Sequence, residues 1–584
     1  MPSSGEIMTH ADADPCASAS LLLQRAIQKM TVKESKEKSG EEGEGYNLDG
    51  ILSELGSFGK YQLLLLLLLA FRDSFLAMCN FNYVFTAPEV PFRCEVPECD
   101  AVDSSFNASW TQYALTNASN TCYRMAPYSG PLLNESVHGA QWTASNSCSP
   151  EQFEIDKSVA CHRVVYENNN SIAAEFDLGC EPWKRTMIGT VHNLGLIISF
   201  VLSGFISDRY GRKVIIVGTP LLVGVVGLIK SFSTGYYMLL VLEFIETAFG
   251  YGNASMVLSL EAVSQNGRVA FSCLWDILSS VGTAFFGLIA WKVPYWRHLL
   301  RATYAPLLVA VFYVFLVDEG VRWLLAHNKK DEAIRVLNKV AKVNNVTLSN
   351  KAKEMMSTIA LEKSKTDESD DTPRLNTKHL LSVLRSRTML LRMALMAACY
   401  FSVAFVYTSA IIYSTNLIGN KYLNFSALQL VAVPTRIITA VTLNRFGRKA
   451  PICFAYCLCG ICFIASAFVP KSLWWASVVL YLMGKMCSSY GMFSVHMVGL
   501  EVFPTTTRNS LSNAAITVGR IGGVLAPQVP LLEKYMDGLP SVVFGLVAFV
   551  PAGLALLLPD TSRSALPEDV REAERLDKHE PEKV

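Results

Sequence analysis

Long apolar runs separated by short polar turns dominate the chain, and their length predicts helices. A bilayer core needs about 20 helical residues. Twelve runs reach that order of length, at about 61–84, 186–206, 214–232, 236–258, 270–293, 298–317, 390–413, 423–442, 450–469, 473–497, 509–531 and 541–559. The first opens with seven consecutive leucines and carries Arg72 and Asp73 near its middle, an adjacent pair of opposite sign expected to satisfy itself locally. The pattern predicts an all-α membrane protein: a cytosolic segment 1–60, one span at 61–84, an extracellular loop at 85–184, five spans within 185–319, a cytosolic loop at 320–388, six spans within 389–559 and a cytosolic tail at 560–584. An even number of spans puts both termini inside.

Composition agrees. With 584 residues, 51% apolar and 17% charged, the chain is too apolar for an ordinary soluble domain, and a net charge of +1 gives no footprint for nucleic acid. The stretch 1–50 is polar and Leu21–Leu23 is too short for a signal-peptide core, so no cleaved leader is expected. Residues 1–44 read as disordered. Leu48 to Phe58 has the apolar spacing of a short helix lying against the membrane, and the segment 320–388 has that of short amphipathic helices with a disordered patch at Thr366 to Thr372.

The cysteines divide by location. Six of the fifteen, Cys94, Cys99, Cys122, Cys148, Cys161 and Cys180, fall in the loop 85–184. An even number in one polar loop implies disulfides in an oxidising compartment, with the pairing left open. The same loop carries glycosylation sequons at Asn107, Asn117, Asn134 and Asn169, which marks it as extracellular. Arg209, Arg212, Lys213 and Arg268 lie in turns on the opposite side, as cytosolic loops require.

Three charged motifs occur twice in the same order. Asp208-Arg-Tyr-Gly-Arg-Lys213 returns as Asn444-Arg-Phe-Gly-Arg-Lys449, Glu261 with Arg268 as Glu501 with Arg508, and Asp318 with Arg322 as Asp560 with Arg563. The chain therefore reads as two copies of one membrane unit. The glycines permit tight turns. The charges, Asp208, Arg209, Arg212, Glu261, Arg268, Asp318, Arg322, Arg445, Arg448, Glu501 and Arg508, are expected to pair across neighbouring helix ends as a gating network.

With these motifs the chain resembles the major facilitator superfamily, and within it the organic ion transporters, which include organic anion, organic cation and carnitine carriers. Further carriers of the resemblance are Gly56-Ser-Phe-Gly-Lys-Tyr-Gln62, Glu175-Phe-Asp-Leu-Gly-Cys180, Tyr295-Trp-Arg-His-Leu299, Asp318-Glu-Gly-Val-Arg-Trp323, Glu501-Val-Phe-Pro-Thr505 and Gly519-Arg-Ile-Gly-Gly-Val-Leu-Ala-Pro527. The resemblance implies a plasma-membrane secondary transporter working by alternating access, in exchange for an intracellular dicarboxylate.

Arg436 and Arg520 lie inside spans, where a charge costs about 3 kcal/mol and needs a partner or a task. They match the basic positions of the organic anion branch, so the resemblance implies an amphipathic anion held by two guanidinium forks. His192, Phe401 and Tyr407 are the expected aromatic lining, and Lys485 is expected to be structural. The opposing pattern is acidic: Glu243, where the family usually has arginine, Glu246 on the same helical face, and Asp276. Those acids define the alternative, a cation or zwitterion carrier. A receptor or scaffold of transporter ancestry is a remoter alternative. No metal cluster, nucleotide loop or nucleophile–base pair emerges, so neither an enzyme, a metal, a cofactor nor direct ATP drive is expected.

Overall fold

The computed structural model describes residues 48–56, 58–100, 103–115, 122–127, 148, 150, 153–264, 267–361, 386–503 and 508–559. Among these, ten helical stretches are long and apolar enough to cross a membrane. The first half contributes α1 (Lys60–Asn80), α2 (Pro182–Tyr210), α3 (Arg212–Lys230), α4 (Tyr236–Gly250), α5 (Arg268–Lys292) and α6 (Trp296–Tyr304). The second contributes α7 (Arg387–Tyr413), α8 (Lys421–Leu430), α9 (Lys449–Phe468), α10 (Trp474–Glu501), α11 (Arg508–Gly519) and α12 (Leu539–Leu557). Two of the twelve expected spans differ from a simple apolar rod. The fourth ends as α4 at Gly250 and resumes as Ala254–Glu261 after a break at Tyr251, Gly252 and Asn253, and α10 is long but carries Lys485 near its middle and is not among the ten. Proline also tightens the chain after α6, over Ala305–Phe312, and after α11, over Ala526–Lys534.

Large apolar side chains such as Leu67, Val201, Phe205, Phe315, Phe454 and Phe468 are exposed on the outside of these helices. Water would penalise so many, whereas lipid accepts them. Inside, α9 and α12 approach closely because Gly460 and Gly545 face each other's carbonyls, and a Cβ on Gly460 would come within 2.9 Å of the Gly545 oxygen.

The duplication is visible atom by atom. Gly211 and Gly447 both take positive φ, at 107° and 79°, between consecutive helices. Arg212 donates to the Ser207 carbonyl at 3.1 Å, and its counterpart Arg448 donates to the Leu443 carbonyl at 2.7 Å. Arg209 rests over the ring of Tyr210 and Arg445 over that of Phe446.

The chain divides into two compact units. The smaller comprises residues up to 69, 255–275 and 317–369. Its core joins Ile51, Leu52 and Leu55 to Trp323, Leu324, Leu337, Val340 and Met356. The helix Leu48–Leu55 therefore buries its apolar face against the helices Val321–Ala326, Lys330–Asn344 and Asn350–Leu361, and not against lipid as its periodicity suggested. Amphipathic spacing specifies that a face is buried and does not specify what buries it. The patch Thr366 to Thr372 and residues 1–44 lie outside the described residues.

The larger unit holds the remaining helices and the cysteine-rich loop. In that loop Phe92–Cys94 pairs antiparallel with Val164–Tyr166, and Tyr123–Pro127 with Phe153–Ala160. Disulfides join Cys94 to Cys161, Cys99 to Cys148 and Cys122 to Cys180. Arg93 lies under the Trp110 ring at 4.6 Å and pairs with Asp100 at 2.6 Å. Asn107 and Asn169 are exposed, whereas Asn117 and Asn134 lie outside the described residues.

Candidate functional site

Within the larger unit a cavity of about 170 Å³ lies between the two sets of helices. The first half supplies Asn80 at the end of α1, Phe81 and Tyr83 just after it, and Asn193 and Leu196 from α2. The second half supplies Tyr400, Ala404, Tyr407 and Thr408 from α7, Met492 and His496 from α10, and Ile516, Gly519, Arg520 and Gly523 from α11 and its continuation. The α7 residues fall at helical spacing i, i+4, i+7 and i+8, one face of a helix. Phe401 belongs to the neighbouring face, rotated by roughly 100°, and is not among the lining residues. Its backbone instead packs against Gly519 and Gly522.

Arg520 is the one arginine or lysine among the lining residues. Its guanidinium lies 3.6 Å above the ring of Phe200 and makes no ion pair with a described residue. The aromatic residues Phe81, Tyr83, Tyr400 and Tyr407 line the same cavity. His496 packs edge-on against Tyr400 at 5.0 Å and donates its Nδ1 proton to the Met492 carbonyl at 2.8 Å, so Nε2 is the nitrogen left for the cavity. Tyr407 is held from behind by Lys485, whose ammonium lies 3.1 Å from the ring centre and donates to the Tyr407 carbonyl at 3.3 Å.

Of the expected lining, Arg520 and Tyr407 reach the cavity. Arg436 does not: its Nε is 3.4 Å from Asp276 Oδ2 and its guanidinium lies over Phe493. One pairing therefore occupies both a base of the anion reading and an acid of the cation reading. His192 is fully buried behind Asn80, with Nε2 3.0 Å from Asn80 Oδ1 and Nδ1 2.6 Å from Glu243 Oε1. Glu243 and Glu246 are bound by Lys230, so neither offers a free carboxylate to the cavity. Tyr400, Tyr83 and His496 were not singled out by sequence. The helical spacing of Tyr400 with Tyr407 could have shown the first, but placing the other two requires knowing how the short helix Asn82–Thr86 and α10 are rotated.

On the side that carries the cysteine loop, Gln528 joins the halves. It accepts from Thr186 at 2.8 Å and donates to Thr190 at 2.7 Å, both on α2. Arg72 and Asp73 pair with each other, and Arg72 also donates to the Ile216 carbonyl at 3.0 Å.

The expected gating charges follow the anticipated network in part. Arg268 and Arg322 both bind Asp49, at 3.0 and 2.7 Å, an acid that precedes the spans and belongs to none of the repeated motifs. Asp318 accepts from Tyr61 at 3.0 Å and Lys339 at 2.7 Å. Arg212 pairs with Asp208 at 3.0 Å, and Arg448 with Glu501 at 2.9 Å, a link between two repeated motifs. Glu261 abuts Gly320, where a Cβ would collide with its carboxylate. The side chain of Arg508, and Asp560 and Arg563, lie outside the described residues.

Comparison with known proteins gives consistent matches. The family described as sugar (and other) transporter matches residues 109–564. Solute carrier family 22 member 1 of Oryctolagus cuniculus is 26% identical over 543 residues, covering 91% of this chain and 95% of that protein. The organic cation transporter protein of Drosophila melanogaster is 28% identical over 541 residues, with 91% and 95% covered. Solute carrier family 22 member 3 of Mus musculus is 26% identical, with 90% and 96% covered. Among solved structures, the inward open conformation of the xylose transporter XylE from E. coli superposes with a TM-score of 0.57 at 12% identity, covering 88% of this chain and 99% of that one.

Proposed function

Because the chain belongs to the sugar (and other) transporter family, with the major facilitator fold and organic ion transporters as relatives, we propose that this membrane carrier moves small organic cations and zwitterions. It is a multi-pass transporter and not an enzyme. The observation that carries the cargo reading is the cavity lining, one guanidinium, Arg520, among the rings of Phe81, Tyr83, Tyr400 and Tyr407. Aromatic faces attract a quaternary or tertiary ammonium, and a guanidinium receives a carboxylate through paired hydrogen bonds. A molecule bearing both groups uses both features. The name of the Drosophila relative supports the cationic part. The three acids first considered for that part, Glu243, Glu246 and Asp276, are already engaged, so ring faces replace them.

The size of the cavity favours a small head group. At about 170 Å³ it matches roughly six water molecules by volume, below the usual range for drug-sized ligands. Transport proceeds by rocking of the halves, with Gln528 closing the loop side. We assign the loop 85–184 to the outside, both termini to the cytosol and the protein to the plasma membrane, on its cysteines, its sequons and the basic turns opposite.

A second reading keeps one specific support. Arg520 has no acid partner among the described residues, which suits an aromatic monocarboxylate exchanged for a dicarboxylate. Uptake by expressing cells of labelled glycine betaine, tetraethylammonium and benzoate, with and without glutarate preloading, separates the two. Betaine and ammonium uptake without benzoate uptake is the expected result. Glutarate-stimulated benzoate uptake alone overturns it in favour of anion exchange.

A further inference from the structure

A buried polar cluster stands behind the cavity wall, and cargo binding does not use it. Lys230 on α3 gives its three ammonium protons to Glu243 Oε2 at 2.6 Å, to Tyr304 Oη at 2.9 Å and to Glu246 Oε2. Tyr304 donates to Glu246 Oε1 at 2.6 Å, which completes that carboxylate. Glu243 Oε1 faces His192 Nδ1, and His192 Nε2 faces Asn80 Oδ1. Lys230, Glu243, Glu246 and His192 are all 1% exposed or less.

Charge counting shows what the cluster lacks. One ammonium stands against two carboxylates, which leaves one uncompensated negative charge where burial makes it costly. The remaining neighbours do not balance it. Cys79 on α1 points its thiol at the Thr303 carbonyl, Asn82 donates to Tyr304, and Tyr83 and Tyr251 contribute rings 5.2 and 6.1 Å from that of His192. Both imidazole nitrogens face oxygen acceptors. The arrangement therefore accommodates one more proton, shared by His192 and Glu243, and with it the cluster is neutral. Asn80 lines the cavity, so a single hydrogen bond separates this position from the cargo.

We propose that His192, Glu243, Lys230 and Glu246 form a binding site for one exchangeable proton, reached from the cavity past Asn80, and that this proton is coupled to transport. A proton taken from a hydronium ion in the cavity joins His192 and leaves water, and the cluster passes from one negative charge to none. When the proton is lost the negative charge returns, and both Lys230 and the Asn80 contact are repolarised beside the cargo. Glu246→Gln tests the count directly, because one ammonium and one carboxylate are neutral without the extra proton. His192→Gln removes the imidazole and keeps a polar group.

The inference rests on the carrier function and not on the charge of the cargo, so two readouts are needed. In the first, the purified full chain in lipid nanodiscs is titrated between mildly acidic and mildly alkaline buffer and followed by infrared difference spectroscopy. A titrating imidazole–carboxylate signal, absent from both His192→Gln and Glu246→Gln, supports the site whether or not any cargo probe is transported. Absence of that signal in the wild type, or its persistence in both variants, overturns the site. In the second, proteoliposomes loaded with a pH dye take up glycine betaine. A proton signal accompanying uptake, with rates changing about tenfold between the mildly acidic and the mildly alkaline buffer, is expected in the wild type and lost in Glu246→Gln. Betaine uptake with no proton signal overturns the coupling, whereas failure of betaine uptake alongside a positive infrared titration refutes only the cargo reading.

Discussion

The guanidinium carbon of Arg520 lies 3.6 Å above the ring of Phe200, and this contact joins the helix after α11 to α2 across the two halves. An arginine deep among helices is held by an aromatic face instead of an acid, and its hydrogen-bond donors remain for cargo. Replacing it with methionine keeps the packing and removes the donors. Arg520→Met is expected to lose uptake of glycine betaine by about ten- to a hundredfold, the equivalent of roughly 1.5–3 kcal/mol for a hydrogen bond to a charged group. Uptake of tetraethylammonium is expected to persist. Concentration series of both probes on surface-quantified protein check this, and an equal loss of both would assign Arg520 to structure.

Gln528 is the one side chain seen to hold Thr186 and Thr190 together across the loop side of the cavity. Removing its amide in Gln528→Ala deletes two neutral hydrogen bonds, worth about 1 kcal/mol each. The population is expected to shift by up to about thirtyfold toward the state open to the loop side. Cysteine accessibility at an introduced position on that side reads the shift, and unchanged labelling would mean that the gate is held elsewhere.

Asp49 gathers Arg268 and Arg322, although all three side chains are about one-third exposed. Solvent screens such pairs, so each is worth at most about 1 kcal/mol. Asp49→Asn is therefore expected to leave thermal stability within a few degrees of wild type. A double-mutant cycle between Asp49→Asn and Arg322→Gln should give a coupling below about 1 kcal/mol, and a much larger value would show that the pair is effectively desolvated.

Glu175 ties the cysteine-rich loop to the start of α6, accepting from Trp296 Nε1 at 2.6 Å and from Arg297 Nε at 3.0 Å. Burial acts to raise its carboxyl, but the hydrogen bonds from Arg297 and Trp296 outweigh burial and hold it below the ordinary carboxylate value. A depressed folded value stabilises the contact above the unfolded carboxylate range, and this stabilisation is lost as pH falls through the folded value. Hydrogen exchange at residues 170–176 should therefore be slow at neutral pH and accelerate in acid below about pH 4. In Glu175→Gln the acid-dependent part is expected to vanish.

The sequence by itself determined the number and order of the apolar runs, the internal duplication and the membrane environment. These are legible because a bilayer imposes one length and one polarity on every span. Gly211 and Gly447, with Arg212 and Arg448, could be matched from residue spacing before any coordinates. Spacing revealed only part of which charges meet, Arg448 with Glu501 among them. Arg436 had the same credentials as Arg520, yet Asp276 engages the first and the cavity receives the second. Phe401 and Tyr400 are adjacent in sequence and face different neighbours, because a helix turns through roughly 100° per residue. Asp49 gave no signal, since its partners lie more than two hundred residues away. Only the rotation and packing of the helices decided whether each buried charge found a counter-ion, a ring or the cavity.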